Sequence, residues 1–346
     1  MKNRKYRMSE KRHIGQMTKS IQSNGNIRRK WSVVFMMVFL ISNVSSTLCD
    51  NFRKTGTTGF VFLEIPVASR AVGLGETGIS LTNAGADGLF INPALIALSE
   101  NRTSATLTIG SWYLQTNHQA MGITRKIPMI GTFGLQAVYF NFGEMEQTRN
   151  LSADEFGSYA SIGKFSANAY SLGLTYARQL TDKFTFGATL KYVRETISEY
   201  YADNAVMDLG FVYRTGFNSL RIGTFLQNFG LETKYYYEKF KMPQQLKLGI
   251  SGEVFGEINS PTHVTLLAEA VHPNDQEEHI HLGAEASIRN LLILRGGYKL
   301  GYDNENLTLG LGVRFVYQTK KFQFDIAYAN HRYLENTIRY TLSTEL

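Results

Sequence analysis

The 346-residue chain has a single cysteine, Cys49, and only six prolines, and nowhere does it hold an apolar run long enough for a membrane-spanning helix. One cysteine excludes a disulfide framework and a thiolate metal site. Scarce proline leaves extended segments free to pair, because proline removes a ladder donor. The longest apolar stretch, Trp31 to Ile41, is about eleven residues, whereas a helical span takes roughly twenty. If the chain lives in a membrane it has to be a closed barrel, the other architecture that satisfies every backbone polar group in lipid.

Basic charge is also missing from the body of the protein, despite a formal net charge of +7. Ten of the 36 Lys and Arg lie in the first thirty residues beside one acid, Glu10, which leaves 26 basic against 28 acidic residues beyond. The basic balance belongs to the leader, so it gives no support to a nucleic-acid partner. That leader is followed by the apolar run and then by small polar residues, Ser42 to Thr47. The order matches a secretory signal peptide over residues 1–48. Cys49 follows Leu48 rather than Gly, Ala or Ser, so a lipoprotein is not expected.

What is abundant points to strands. Tyr 19 and Phe 22 bring aromatics to 12%, with 31 glycines, and mean hydropathy is only −0.18; that profile suits half-buried β-structure. From about residue 103 the sequence alternates with period two. Phe184, Phe186, Ala188, Leu190 and Tyr192 share one face, while Thr185, Gly187, Thr189 and Lys191 share the other. Tyr170, Leu172, Leu174 and Tyr176 likewise oppose Ser171, Gly173 and Thr175, and Phe322, Phe324, Ile326 and Tyr328 oppose Gln323, Asp325 and Ala327.

Segment length separates a barrel from a soluble sandwich. Strands of soluble proteins run about five or six residues, and a tilted crossing of a bilayer takes about nine to eleven. The longer value recurs in about fourteen segments, from roughly 103–112 through 131–141, 167–179 and 182–195 to 336–346. The expected fold is therefore all-β: a transmembrane antiparallel barrel of about 14 strands in the bacterial outer membrane, occupying 101–346, with lipid as its surroundings. Short connections such as Leu180-Thr181 and Arg289-Asn290 alternate with longer ones, above all 142–166. That is the asymmetry of turns facing the periplasm and loops facing out.

Residues 59–100 do not alternate, and 49–100 is expected to be a plug-like segment packed inside or beside the barrel wall. Gly73-x-Gly75-x-x-Gly78 fits the dinucleotide fingerprint in spelling only. That fingerprint needs a following helix in a βαβ unit, and Asn92-Pro93 interrupts any long helix here. Glycines instead let the segment fold tightly. Phe62-Leu-Glu-Ile-Pro66-Val-Ala-Ser-Arg70-Ala-Val-Gly73-Leu-Gly75, followed by Asn92-Pro93-Ala94, resembles the opening of the PorV/PorQ family, relatives of the FadL-type transporters. The resemblance covers about forty residues. It implies a fourteen-stranded barrel whose N-terminal segment packs in the lumen, with Pro66, Arg70, Gly73, Gly75, Asn92, Pro93 and Ala94 as motif residues. It also implies a role in type IX secretion or surface attachment, with a PorU-like sortase or secreted cargo as partner. The alternative is FadL-like transport of hydrophobic small molecules, gated by Phe60 to Leu98.

No serine elbow, paired-carboxylate arrangement or His/Asp/Ser grouping emerges from spacing, so neither an enzyme nor a cofactor is expected. His272, Asp275, Glu277, Glu278, His279 and His281 form the densest ligand-type cluster, but its spacing matches no zinc site, and a solvated acidic loop is expected. Tyr235-Tyr236-Tyr237, with Lys234 and Lys239 near, either contacts a partner or joins the interfacial aromatic belt.

Overall fold

The computed structural model describes residues 56–151, 159–318 and 320–346. The signal peptide expected over 1–48, and Cys49, lie outside the described residues. Fourteen antiparallel strands close a single barrel, each paired with its sequence neighbour and the last with the first. They are β1 (Thr103–Ser111), β2 (Asn117–Ile127), β3 (Gly131–Asn150), β4 (Tyr159–Gln179), β5 (Phe184–Ile197), β6 (Tyr200–Arg214) and β7 (Arg221–Gly230). After a two-stranded hairpin outside the wall follow β8 (Gln245–Phe255), β9 (His263–Pro273), β10 (His279–Ile288) and β11 (Leu292–Leu300). The set ends with β12 (Glu305–Tyr317), β13 (Lys320–His331) and β14 (Thr337–Glu345).

Closure is continuous in register, with Thr108 opposite Thr341 and Ile109 opposite Tyr340. Thr103 and Leu346 exchange both backbone hydrogen bonds, at 3.2 and 2.8 Å. An even strand number therefore brings the C-terminus back to the end where β1 starts.

Alternation reads as expected, but the apolar face looks outward. Leu172, Leu174, Leu190 and Tyr192 are exposed, whereas Ser171, Thr175, Thr185, Thr189 and Lys191 are buried. The same phase holds for Leu107, Leu309, Leu311, Phe324 and Tyr340. A contiguous apolar exterior around a closed ladder is stable only against lipid. Replacing Leu174 by Arg should accordingly lower folding stability in lipid by about 2–4 kcal/mol. Reversible unfolding titrations in vesicles measure this, with Thr175→Ser on the lumen face as a near-neutral control.

One expectation needs correcting. The long loop read over 142–166 is mostly strand: β3 and β4 continue as a paired ribbon out to Asn150 opposite Tyr159. Beyond the bilayer a ladder no longer needs an apolar face, so the alternation that marked the strands stops while hydrogen bonding continues. The connection between β5 and β6 is likewise short, only Ser198 and Glu199, with Ser198 at φ 56°. The other end carries the tight turns, including Arg289 and Asn290 at φ 52° and 54°.

Candidate functional site: the luminal plug and outer cavity

The described chain begins at the end bearing the longer connections. Gly59 N–H donates to the carbonyl of Lys241 at 3.1 Å, and Phe60, Phe62 and Leu63 bury themselves against Phe140, Val193, Val206 and Met242. From there the segment descends through the lumen. A five-residue helix, α1 (Ser69–Gly73), is buried along its whole length. It stops because Gly75 turns at φ 70°, a left-handed conformation that glycine adopts without a Cβ clash. A second short helix, α2 (Gly88–Ile91), leads into a 3-10 turn over Pro93–Leu98 that packs on β4, β5 and β6. Asn92 caps that turn: its Oδ1 accepts from Ala94 N–H at 3.0 Å, and its Nδ2 donates to the Ile79 carbonyl at 2.7 Å.

The wall makes room for this path with glycine. Gly122, Gly134, Gly187, Gly210, Gly223, Gly249, Gly283, Gly297 and Gly310 lie on nine different strands, and at each an added Cβ would press against the plug. At Gly223 it would sit 2.7 Å from the Ile79 carbonyl oxygen, and on the plug side one at Gly73 would sit 2.8 Å from Gly310 Cα. Several of these glycines stand opposite one another across the ladder, as Gly187–Gly210 and Gly283–Gly297 do. Interior glycine weakens a strand and marks close approach of another backbone. The small inward residues therefore do not leave an open lumen; the space they free is filled by plug backbone.

Buried charge fixes the plug at the same level. Arg70 of α1 grips Glu285 of β10 through two bonds, Nη2 to Oε1 at 2.7 Å and Nε to Oε2 at 2.9 Å. Glu285 also accepts from Arg295 Nε at 2.7 Å, and Arg295 Nη1 reaches Asp325 at 2.6 Å. Further along, Glu76 pairs with Lys299 at 2.6 Å, and Lys299 also pairs with Glu305 at 2.8 Å. Glu269 accepts the backbone N–H groups of Gly78 and Ile79. Arg221, ion-paired with Glu253 at 2.7 Å, donates to the Ser80 carbonyl at 3.1 Å. Together these replace the hydration that plug amides and wall charges lose on burial.

A cavity of about 710 Å³ lies above the plug, at the outer end. Phe60, Phe62, Ile65, Pro66, Trp112, Phe140 and Phe142 give it an aromatic and aliphatic wall, and Tyr235 closes one side. Glu64, Glu76, Glu305 and Lys247 supply polar groups. Burial, with the nearby Asp275 charge adding to it, pushes the Glu64 carboxyl up to about 7, although the Gln245 hydrogen bond and Lys247 oppose the rise. Below, between plug and wall, space narrows to a pocket of about 70 Å³ that shares Phe62, Glu64, Ile65, Pro66, Glu76 and Lys247 with the cavity. The opposite mouth holds a cavity of about 830 Å³ with a different lining, including Asn83, Glu100, Lys126, Arg214, Asn218 and Glu257. Such groups suit water, whereas ligand pockets are mostly apolar with a few placed polar groups.

All seven motif residues fall on the plug. Pro66 lines the outer cavity, Arg70 carries the ion pair, Gly73 and Gly75 meet Gly310 and Gly297, and Asn92-Pro93-Ala94 lies against Gly187 and Gly210. The tyrosine triple is divided. Tyr235 turns inward, stacks on Phe240 at 5.1 Å and donates to Glu195 at 2.7 Å. Tyr236 and Tyr237 stay exposed.

The acidic-loop expectation holds only in part. His272 and Glu278 form an exposed pair at 3.1 Å, but His279 and His281 are buried on the inner face of β10 and Asp275 bonds Thr58. The strand begins at His279, and alternation carries His279, His281 and Gly283 to its inner side. No group of three His, Cys, Asp or Glu suited to a metal ion occurs among the described residues. What the sequence reading passed over is the charge on lumen-facing strand positions: Glu285, Arg295, Lys299 and Asp325. Their signal was legible, since each sits in the phase opposite to the exterior leucines, and a charge there needs a luminal partner.

No family model matches the chain, and no characterised protein matches it in sequence. Solved structures match in fold. The toluene transporter TbuX of Ralstonia pickettii aligns with TM-score 0.52 and 14% identity, covering 81% of this chain and 97% of its own. A Pseudomonas aeruginosa FadL homologue aligns at 0.53 and 11% over 80% and 97%. The Pseudomonas putida toluene transporter TodX aligns at 0.52 and 13% over 81% and 97%. The fold is that of these outer-membrane barrels.

Proposed function

We propose that this protein takes up small hydrophobic molecules at the outer membrane, receiving them in the outer cavity and passing them inward when the plug shifts. The observation that carries this reading is an aromatic cavity at the outer mouth, of ligand-pocket size, standing directly over a plug pinned inside a closed wall. The named activities of fold neighbours, which are toluene transporters and a FadL homologue, support it.

Trp112 offers a direct test. It lines the cavity, and the chain's other tryptophan, Trp31, lies in the leader. Titrating the protein in lipid nanodiscs with toluene should shift Trp112 emission saturably, and Trp112→Phe should remove the signal. A linear, non-saturating response equal to that of empty nanodiscs would reject the reading.

The second reading is a scaffold for type IX secretion or surface attachment. It draws on the PorV/PorQ-like plug motif and on Tyr236 and Tyr237, which face outward as a T-shaped pair with ring centroids 4.1 Å apart. The comparisons support uptake better. Co-purification of a PorU-like sortase or secreted cargo that is lost on Tyr236→Ser and Tyr237→Ser substitution would reverse that preference.

A further inference from the structure

Two polar groups in the outer cavity keep bonding capacity that the protein itself does not use. Lys247, on the inward face of β8, lines both the cavity and the narrow pocket beneath it, yet its ammonium forms no hydrogen bond or ion pair among the described residues. Glu64, on the plug, lines the same two spaces and accepts one bond, from Gln245 Nε2 at 2.7 Å. The two are near enough for Lys247 to bear on the Glu64 carboxyl, but they form no ion pair. A donor and an acceptor thus stand apart, both lining the outer cavity and the narrow pocket beneath it.

We propose that Glu64 and Lys247 make the outer cavity selective for hydrophobic molecules that carry one neutral hydroxyl, over bare hydrocarbons and over charged analogues. The proposal rests on the uptake reading. A hydroxyl donates to a carboxyl oxygen of Glu64 and accepts from the Lys247 ammonium in one placement, while its hydrocarbon body meets Phe62, Phe140 and Trp112. A bare hydrocarbon strips water from both groups and returns nothing, which is costly for charged groups. A carboxylate gains Lys247 but enters a space already lined by Glu76 and Glu305, and like charges repel at short range. An ammonium compound gains Glu64 and meets Lys247. Sites that hydrogen-bond a hydroxyl discriminate strongly against analogues lacking it, because their own polar groups are then left unpaired.

Four probes with one carbon skeleton decide the matter: toluene, benzyl alcohol, benzoate and benzylamine, titrated against the protein in nanodiscs with Trp112 emission, taken as the difference from Trp112→Phe, as readout. Benzyl alcohol should bind on the order of tenfold more tightly than toluene, and more tightly than either ion. Lys247→Met should remove most of that preference by weakening the alcohol and leaving toluene unchanged or tighter. Equal affinity for toluene and benzyl alcohol, or tightest binding by benzoate or benzylamine, overturns the selectivity while uptake stands. If none of the four binds saturably, both fail. Lys247→Met that leaves the alcohol preference intact also overturns the assignment.

Discussion

Glu285→Ala is expected to destabilise the barrel by about 3–5 kcal/mol, the effect of breaking a buried ion pair from one side. Glu285 is the single carboxylate shared by Arg70 of the plug and Arg295 of the wall. All three side chains are at most 8% exposed, so its loss leaves Arg70 buried without a counter-charge. Arg295 keeps Asp325 after the change; Arg70 keeps only the Asn83 carbonyl. The loss should therefore fall mainly on the plug. Equilibrium unfolding in lipid measures the total, and amide hydrogen exchange locates it, with faster exchange over Ser69–Ile79 and little change in β1–β5. Pairing the change as Arg70→Met with Glu285→Leu should recover much of the stability, because apolar replacement of a whole buried pair is often neutral. A Glu285→Ala protein within about 1 kcal/mol of the parent would show that the network does not hold the plug.

Gly297→Val is expected to drive the plug from its seat and open the lumen. Gly297 faces the bend of the plug, where an added Cβ would overlap the backbone of Leu74 and Gly75. Backbone on both sides leaves no flexible side chain to move, and overpacking of this kind costs about 1–3 kcal/mol or more. Either the plug withdraws or the wall opens its ladder, and withdrawal breaks fewer hydrogen bonds. Planar-bilayer recordings should show steady conductance for the variant against a closed parent. Gly296 is the internal control: its added Cβ would meet nothing within 4 Å, so Gly296→Ala should conduct as the parent does. A closed, parent-like Gly297→Val would mean that the glycines are not what admits the plug.

Both results bear on the proposed uptake, since the ion pairs and the glycine contacts occupy the same stretch of lumen. On that proposal, a molecule held above them passes only when Val72–Ile79 moves relative to β10–β12. The charged network supplies a latch of a few directional bonds, each of which needs a new partner when the plug moves.

Most of the wall was legible because two physical rules act locally. Side chains alternate faces along a strand, and bilayer thickness sets how long the apolar alternation lasts. Those rules placed β5 near Phe184 and β13 near Phe322, and they put Leu174 and Thr175 on opposite faces. The same rules failed at 142–166, where the ribbon leaves the bilayer and apolar alternation ends although pairing continues. The ligand-type cluster likewise groups His279 and His281 with a solvated loop, although their strand begins at His279 and turns both inward.

By itself, then, the sequence determined a closed barrel with a greasy exterior and a glycine-rich, non-alternating segment before it, since period and length need no knowledge of distant residues. Only the tertiary structure decided that Arg70 meets Glu285, that Gly75 lies on Gly297, and that Tyr235 turns inward while Tyr236 and Tyr237 do not. Those contacts join positions more than two hundred residues apart, or split adjacent ones, and closing the barrel around the plug is what brings them together.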